Sequence, residues 1–155
     1  RNRAPRDRRR PRGHALNALY VETSALLAWL LGEDDGPTIA ATIDEAETLV
    51  ASSLTAVETH RALIRCETAG DFDAVTARAL AGRLVDTLEQ IETLEATATV
   101  RQRCARPFPV EPVRTLDAVH LATALELLEI HPGLRVLTRD RRVRDNAEAL
   151  GFELA

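Results

Sequence analysis

Four acidic residues, Glu22, Glu58, Asp117 and Asp140, each close an apolar strand-like run or stand within the first turn of a helix-like one. In an open α/β fold such positions converge on one crevice outside the carboxyl ends of the strands. Two carboxylates about 4 Å apart repel by roughly 4 kcal/mol at an effective dielectric near 20. Four gathered together therefore require a cation or raised carboxyl pKa values, and the chemistry predicted is a divalent-metal site. Each acid also has a plainer use. Glu22 can be an exposed strand end, Thr55-Ala56-Val57-Glu58 satisfies the capping-box pattern, Asp117 suits the positive end of a helix, and Asp140 can cap the helix after it. Only the set of four discriminates.

The elements that must position these acids follow from periodicity and punctuation. Ala18 to Val21 reads as a strand, with Glu22 at its end and Ser24 placed to cap a helix that stops at Gly32. Pro37 opens a second helix to about Glu47, and Thr48 to Ser52 is a second strand. Helices are predicted from Thr55 to Thr68 and, capped by Asp71 or Asp73, to about Gln90; Ile91 to Leu94 is a weaker strand. Thr97 to Arg106 is helical, and Pro107, Pro109 and Pro112 keep the next stretch irregular. Arg114 to Ile130 is a helix, Leu134 to Thr138 a strand, Arg141 to Leu150 a helix and Phe152 to Leu154 a short last strand. The alternation predicts an α/β protein whose helices cover a mainly parallel sheet.

Composition narrows the chemistry. The 155 residues, 45% of them hydrophobic, suffice for one core and one domain. All 20 basic residues are Arg, which removes Schiff-base lysines, P-loop phosphate binding and the lysine-dependent phospho-acceptor site of receiver domains. Residues 1–12 carry +6, leaving −10 for the rest of the formal −4. The chain thus divides into a basic arm over residues 1–17, expected to be disordered, and a domain over residues 18–155. The arm is either a loose attractor of RNA phosphates or a solvated tail. With neither a long apolar span nor a signal-peptide pattern, no membrane association is expected, and the cytoplasm is the expected compartment. Cys66 and Cys104 have no metal or redox spacing and read as ordinary thiols.

The four acids lie in blocks that together resemble a known family. YVETSALLAWLLGE, SSLTAVETHRAL, LDAVHLATALEL and VLTRDRRVRDNAEALGF occur in the order found in the PIN-domain ribonucleases, and within them the VapC toxins of bacterial toxin–antitoxin systems. The resemblance runs from about Leu19 to the C-terminus. It implies a three-layer α/β/α fold with a central, mainly parallel sheet, and endonucleolytic cleavage of RNA with Mg2+ or Mn2+. It assigns the acidic cluster to Glu22, Glu58, Asp117 and Asp140, with Thr138 as the small hydroxyl residue that orders the site. Glu22 and Asp117 would be the first metal ligands. Asp140 would bind a second ion or orient the metal's waters, and Glu58 would orient the attacking water or take its proton. The implied partners are RNA and a cognate VapB-like antitoxin, and a homodimer is the expected assembly.

One position departs from the family's pattern: its first acid is usually Asp, and here it is Glu22. The extra methylene shifts a carboxylate on a fixed strand end, and magnesium tolerates poor octahedral geometry badly. The competing reading is accordingly a PIN-like domain with weakened catalysis that binds RNA or antitoxin. A flavodoxin-like ligand-binding protein is a third, without a Gly-rich phosphate loop to support it. His120, one helical turn after Asp117, is a further candidate, and Arg139, Arg141, Arg142 and Arg144 are candidate phosphate contacts. Leu26, Leu27, Trp29, Leu30 and Leu31 make the first helix apolar nearly all round, so part of it is a candidate interface.

Overall fold

Strand β1 (Ala18–Val21) is buried along its whole length and sends alternate side chains to two different cores. Ala18 and Tyr20 join one, Leu19 and Val21 the other, as the two-residue period of a strand requires. A computed structural model describes residues 17–155, so the basic arm falls outside the described residues apart from Asn17. On the Leu19 side pack α1 (Thr23–Leu31), α2 (Gly36–Asp44), α3 (Ser53–Ala69) and α4 (Ala74–Leu88). On the Tyr20 side pack α5 (Ala98–Cys104), α6 (Thr115–Ile130) and α7 (Arg141–Ala149). The three-layer α/β/α fold is therefore present, and its sheet is wholly parallel.

The remaining strands are β2 (Thr48–Ser52), β3 (Ile91–Leu94), β4 (Arg135–Leu137) and β5 (Glu153–Leu154), in the order β3-β2-β1-β4-β5. From β1 the chain builds outward through β2 and β3, then crosses to the other side of β1 to add β4 and β5. That reversal lies between β1 and β4, whose following helices, α1 and α7, go to opposite layers. A crevice opens at such a point. The register Val21↔Leu137 sets the two strand ends side by side, and the Glu22 N–H donates to the Leu137 carbonyl at 3.0 Å. Glu22 and the segment Thr138-Arg139-Asp140 thus leave the sheet together.

Local chemistry accounts for most boundaries. Gly32 ends α1 at φ 71, a left-handed conformation that costs glycine little. Asp73 caps α4 and Thr97 caps α5 through side chains that accept from Thr76 and Val100 N–H groups. The first helix is less open than its composition suggested: Ala25, Leu26, Ala28 and Leu30 are buried, and the Arg83 guanidinium lies 4.7 Å above the Trp29 ring. Exposed apolar side chains occur instead on α3 and α4, at Val57, Ile64, Val75 and Val85. Among the described residues no helix is long and apolar enough to cross a membrane.

The proline-rich connection before α6 is tied to α7 by a buried amide. Asn146, fully buried on α7, accepts from the Val110 N–H at 2.9 Å and donates to the Val110 and Arg142 carbonyls at 2.9 Å each. Replacing it removes both bonds to Val110 and leaves the Arg142 carbonyl without that donor. Asn146→Leu is expected to cost about 2–3 kcal/mol, since a buried polar group left without its partner costs roughly 1–3 kcal/mol. Urea unfolding measures this, and a midpoint unchanged from the parent's would show that the clamp adds nothing.

Candidate active site

Glu22 occupies the N-cap position of α1 with extended backbone (φ −80, ψ 152), where Asp, Asn, Ser or Thr is usual. Its longer side chain folds back, and one oxygen, Oε2, does all the local bonding. Oε2 accepts from the Ser24 N–H at 3.0 Å, from the Thr138 hydroxyl at 2.9 Å and from the Ser24 hydroxyl. Ser24 was expected to cap α1; its hydroxyl bridges two strand ends instead, because Glu22 already fills the cap. Ser24 Oγ accepts from the N–H groups of Arg139 at 2.8 Å and Asp140 at 3.1 Å. Glu22 is buried, and among the described residues its Oε1 takes no hydrogen bond.

Glu58 lies in the second turn of α3. The capping-box reading fails because the cap lies three residues earlier: Ser52, at the buried end of β2, fills it and accepts from the Leu54 N–H at 3.3 Å. With that use gone, the Glu58 carboxylate turns to the sheet edge. Its Oε2 accepts from the Thr23 hydroxyl at 2.6 Å and meets His120 Nε2 at 2.7 Å. That imidazole nitrogen is also 4.0 Å from Glu22 Oε1, which links the two glutamates. Burial by itself would raise the Glu58 carboxyl, but the bonds from His120 and Thr23 outweigh it and hold the group below its ordinary value. Glu58 is thus an ionised acceptor at neutral pH.

The two aspartates meet on the other side. Asp140 caps α7, its Oδ1 accepting from the N–H groups of Arg142 at 2.7 Å and Val143 at 3.3 Å. Asp117, in the first turn of α6, is pushed the opposite way from Glu58. Burial first, then the charge of Asp140, raises its carboxyl, against the Arg114 N–H and the guanidinium groups of Arg114 and Arg142. Its Oδ2 is buried and, among the described residues, has no hydrogen-bond partner. The four acids form one linked set: Glu58 to Glu22 through His120, Glu22 to Asp140 through Ser24 and Thr138, and Asp140 to Asp117 by charge.

These donors fit a small divalent cation. Hard carboxylate oxygens suit magnesium or manganese, and among the described residues Glu22 Oε1, Glu58 Oε1, Asp117 Oδ2 and Asp140 Oδ2 take no hydrogen bond, that of Asp117 being buried. Among the described residues no three Asp, Glu, His or Cys side chains come together as a ready-made shell. The arrangement suits an ion that keeps several of its waters, as magnesium does, better than one held by a full protein cage.

A family model described as PIN domain matches residues 19–149. The chain belongs to the PIN domain family. Two relatives from Mycobacterium tuberculosis extend the comparison. Ribonuclease VapC35 is 33% identical over 136 residues, covering 86% of this chain and 93% of the relative. Ribonuclease VapC46 is 31% identical over 135 residues, covering 87% and 94%. In fold, this PIN domain is similar to Mycobacterium tuberculosis VapC20, described as a Sarcin-Ricin loop cleaving toxin. The TM-score is 0.59 at 16% identity, over 88% of this chain and 98% of that one.

Around the acids of this PIN domain the arginines divide. Arg139 is committed elsewhere: it pairs with Glu33 and, at 2.7 Å, with Asp35, tying the α1–α2 connection to the end of β4. It is therefore not a free phosphate contact, contrary to the expectation from its place beside Asp140. Arg142 stays close enough to Asp117 to act on its charge, and Arg144 donates to the Thr138 carbonyl at 3.4 Å. Two further arginines stand on α3. Arg61 and Arg65 line a groove that Thr23 and Glu58 open into, floored by Leu27, Leu54, Val57 and Leu116. Their spacing from Glu58, three and seven residues along one helix, is the signal that places them on its face.

Proposed function

We propose that this chain is a divalent-metal-dependent endoribonuclease, the toxin component of a type II toxin–antitoxin pair, acting at Glu22, Glu58, Asp117 and Asp140. The observation that carries the reading is Asp117 Oδ2, a buried oxygen without a partner beside a second carboxylate, in a PIN domain whose relatives are named ribonucleases. Glu22 and Asp117 are the residues to hold Mg2+ or Mn2+. A metal held by these two residues would supply polarisation of a scissile phosphodiester and a water of lowered pKa. Glu58, held ionised, orients that water and accepts its proton. Asp140 keeps its second oxygen beside Asp117 for a further ion or its waters. Arg61 and Arg65 offset the negative field along the strand's path by meeting phosphates. The relatives favour this catalytic reading over the non-catalytic one that Glu22 suggested.

The partner is a VapB-like antitoxin, and the working assembly is a homodimer. An antitoxin segment covers the apolar floor beside Glu58 and places an Arg among the carboxylates, neutralising the charge that the metal otherwise offsets. The test is cleavage of a structured RNA hairpin by the purified chain, with and without added Mg2+ or Mn2+, and with and without the antitoxin. Cleavage is expected only with metal, and inhibition only while the antitoxin retains its Arg. Equal cleavage in excess chelator would reject the metal mechanism. An antitoxin that binds far from the acids and leaves cleavage unchanged would reject the inhibitory model.

A further inference from the structure

Behind Glu58 runs a buried chain of hydrogen bonds that the proposed reaction does not use directly. His120, 2% exposed on the inner face of α6, joins Glu58 Oε2 through Nε2 at 2.7 Å and the Tyr20 hydroxyl through Nδ1 at 2.9 Å. Tyr20 is itself 1% exposed in the centre of β1, and its ring meets the imidazole edge-on, with centroids 6.2 Å apart at 78°. At the other end, Glu58 as a carboxylate only accepts, so the nitrogen facing it must carry hydrogen. Both ring nitrogens are occupied, and the imidazole has no second orientation that satisfies both partners.

We propose that His120 is a positioning residue: braced by Tyr20 through Nδ1, it works with Thr23 to pin Oε2 of Glu58, so that Oε1 faces the crevice. The geometry carries this. Thr23 Oγ1 donates to the same oxygen at 2.6 Å and lies 3.3 Å from His120 Nε2, so two donors close on Oε2 together. Among the described residues Oε1 receives no hydrogen bond. Glu58 is partly exposed and sits on a long, flexible side chain; without the clamp its carboxylate would sample the solvent side of α3. A side chain that holds the acceptor of a reacting proton is worth about 10–100-fold when its bond is lost, as outer-shell partners of reactive groups generally are.

This inference rests on the ribonuclease reading for its kinetic consequence but not for its physical one, and the experiment separates them. In the full chain at neutral pH, nitrogen NMR of the ring should find a slowly exchanging proton on His120 Nε2, and Glu58→Ala should shift its resonance. His120→Leu should lower kcat for a structured RNA hairpin in saturating magnesium by about tenfold or more, with KM changed less than about twofold. His120→Gln, whose amide can reach the same oxygen, should recover most of that loss. A merely structural histidine predicts otherwise: melting temperature, kcat and KM would move together, and Gln would rescue nothing. The proposal is overturned by an Nε2 without its proton, by a ring signal indifferent to Glu58→Ala, or by a well-folded His120→Leu protein that cleaves like the parent. Should His120→Leu fail to fold, the ring signal in the parent still decides. A parent that cleaves no RNA while showing the coupled ring proton would sink the ribonuclease reading and leave the clamp standing.

Discussion

Asp117→Asn is expected to lower RNA cleavage by at least about a hundredfold, because a metal's charge stabilisation at a phosphoryl centre is worth several kcal/mol. The same change should raise the melting temperature of the metal-free protein. Both effects have one cause. The Asp117 carboxylate is half-buried beside Asp140 with one oxygen unpartnered, so its charge is unfavourable in the fold until a cation meets it. The sign can be followed through pH. A carboxyl whose folded pKa lies above its unfolded value is penalised when ionised, so the penalty is fully present above the folded pKa and fades as pH falls through it. Asn has no charge to penalise. Its stability gain in chelator should therefore be largest at neutral pH and shrink on acidification, while added magnesium should stabilise the parent and not the variant. Melting curves in chelator and in magnesium, with cleavage assays alongside, test all three statements. Undiminished cleavage by Asp117→Asn would remove this residue from the mechanism.

Glu22→Asp should reduce cleavage in both magnesium and manganese, by up to about a hundredfold, since a displacement near 1 Å can cost that much. The expectation from sequence was open, because the family's usual Asp could have been an improvement. The hydrogen bonds around Glu22 decide it. Ser24 N–H, Ser24 Oγ and Thr138 Oγ1 all converge on Oε2 where the longer side chain carries it. An Asp would still cap α1, but from nearer the backbone, drawing away from Thr138 and withdrawing the oxygen that faces the crevice. Parallel assays in the two metals distinguish the cases. A rise in magnesium greater than in manganese would mean that Glu is a misfit there. A variant and parent both inactive in either metal, with RNA binding intact, would revive the non-catalytic reading.

The sheet and its helices were legible because β1 and β2 are short apolar runs and α4 carries a helical apolar period behind its Asp73 cap, and Glu22, Asp117 and Asp140 because each stands where a strand ends or a helix begins, with Glu58 a turn further in. What remained hidden depends on contacts across long stretches of chain. Tyr20 and His120 are 100 residues apart, and His120 and Glu58 are 62, so nothing local marks them as partners. The sequence shows only that His120 is one turn from Asp117, and that spacing misleads, since the imidazole turns to the glutamates. Arg139 was misjudged for a similar reason: its neighbours in sequence are an acid and two arginines, whereas its neighbours in space are Glu33 and Asp35. The Thr55–Glu58 capping pattern failed by three residues, because a serine closing β2 was a better cap than the threonine after it.

The placement of β1 between β2 and β4 also bears on when the acidic cluster can assemble as the chain is made. Glu22 precedes by more than a hundred residues the strand that completes its surroundings, from Arg135 to Leu137, and the Thr138 and Asp140 that follow it. Domains begin to organise from the N-terminus during translation, but a parallel pairing of such long separation cannot form until its second strand has emerged. A nascent chain still inside the ribosome therefore carries three of the four carboxylates without the β4 edge that gathers them. Products cut short before Leu134 should therefore lack the assembled acidic edge, whatever they retain of the first helices.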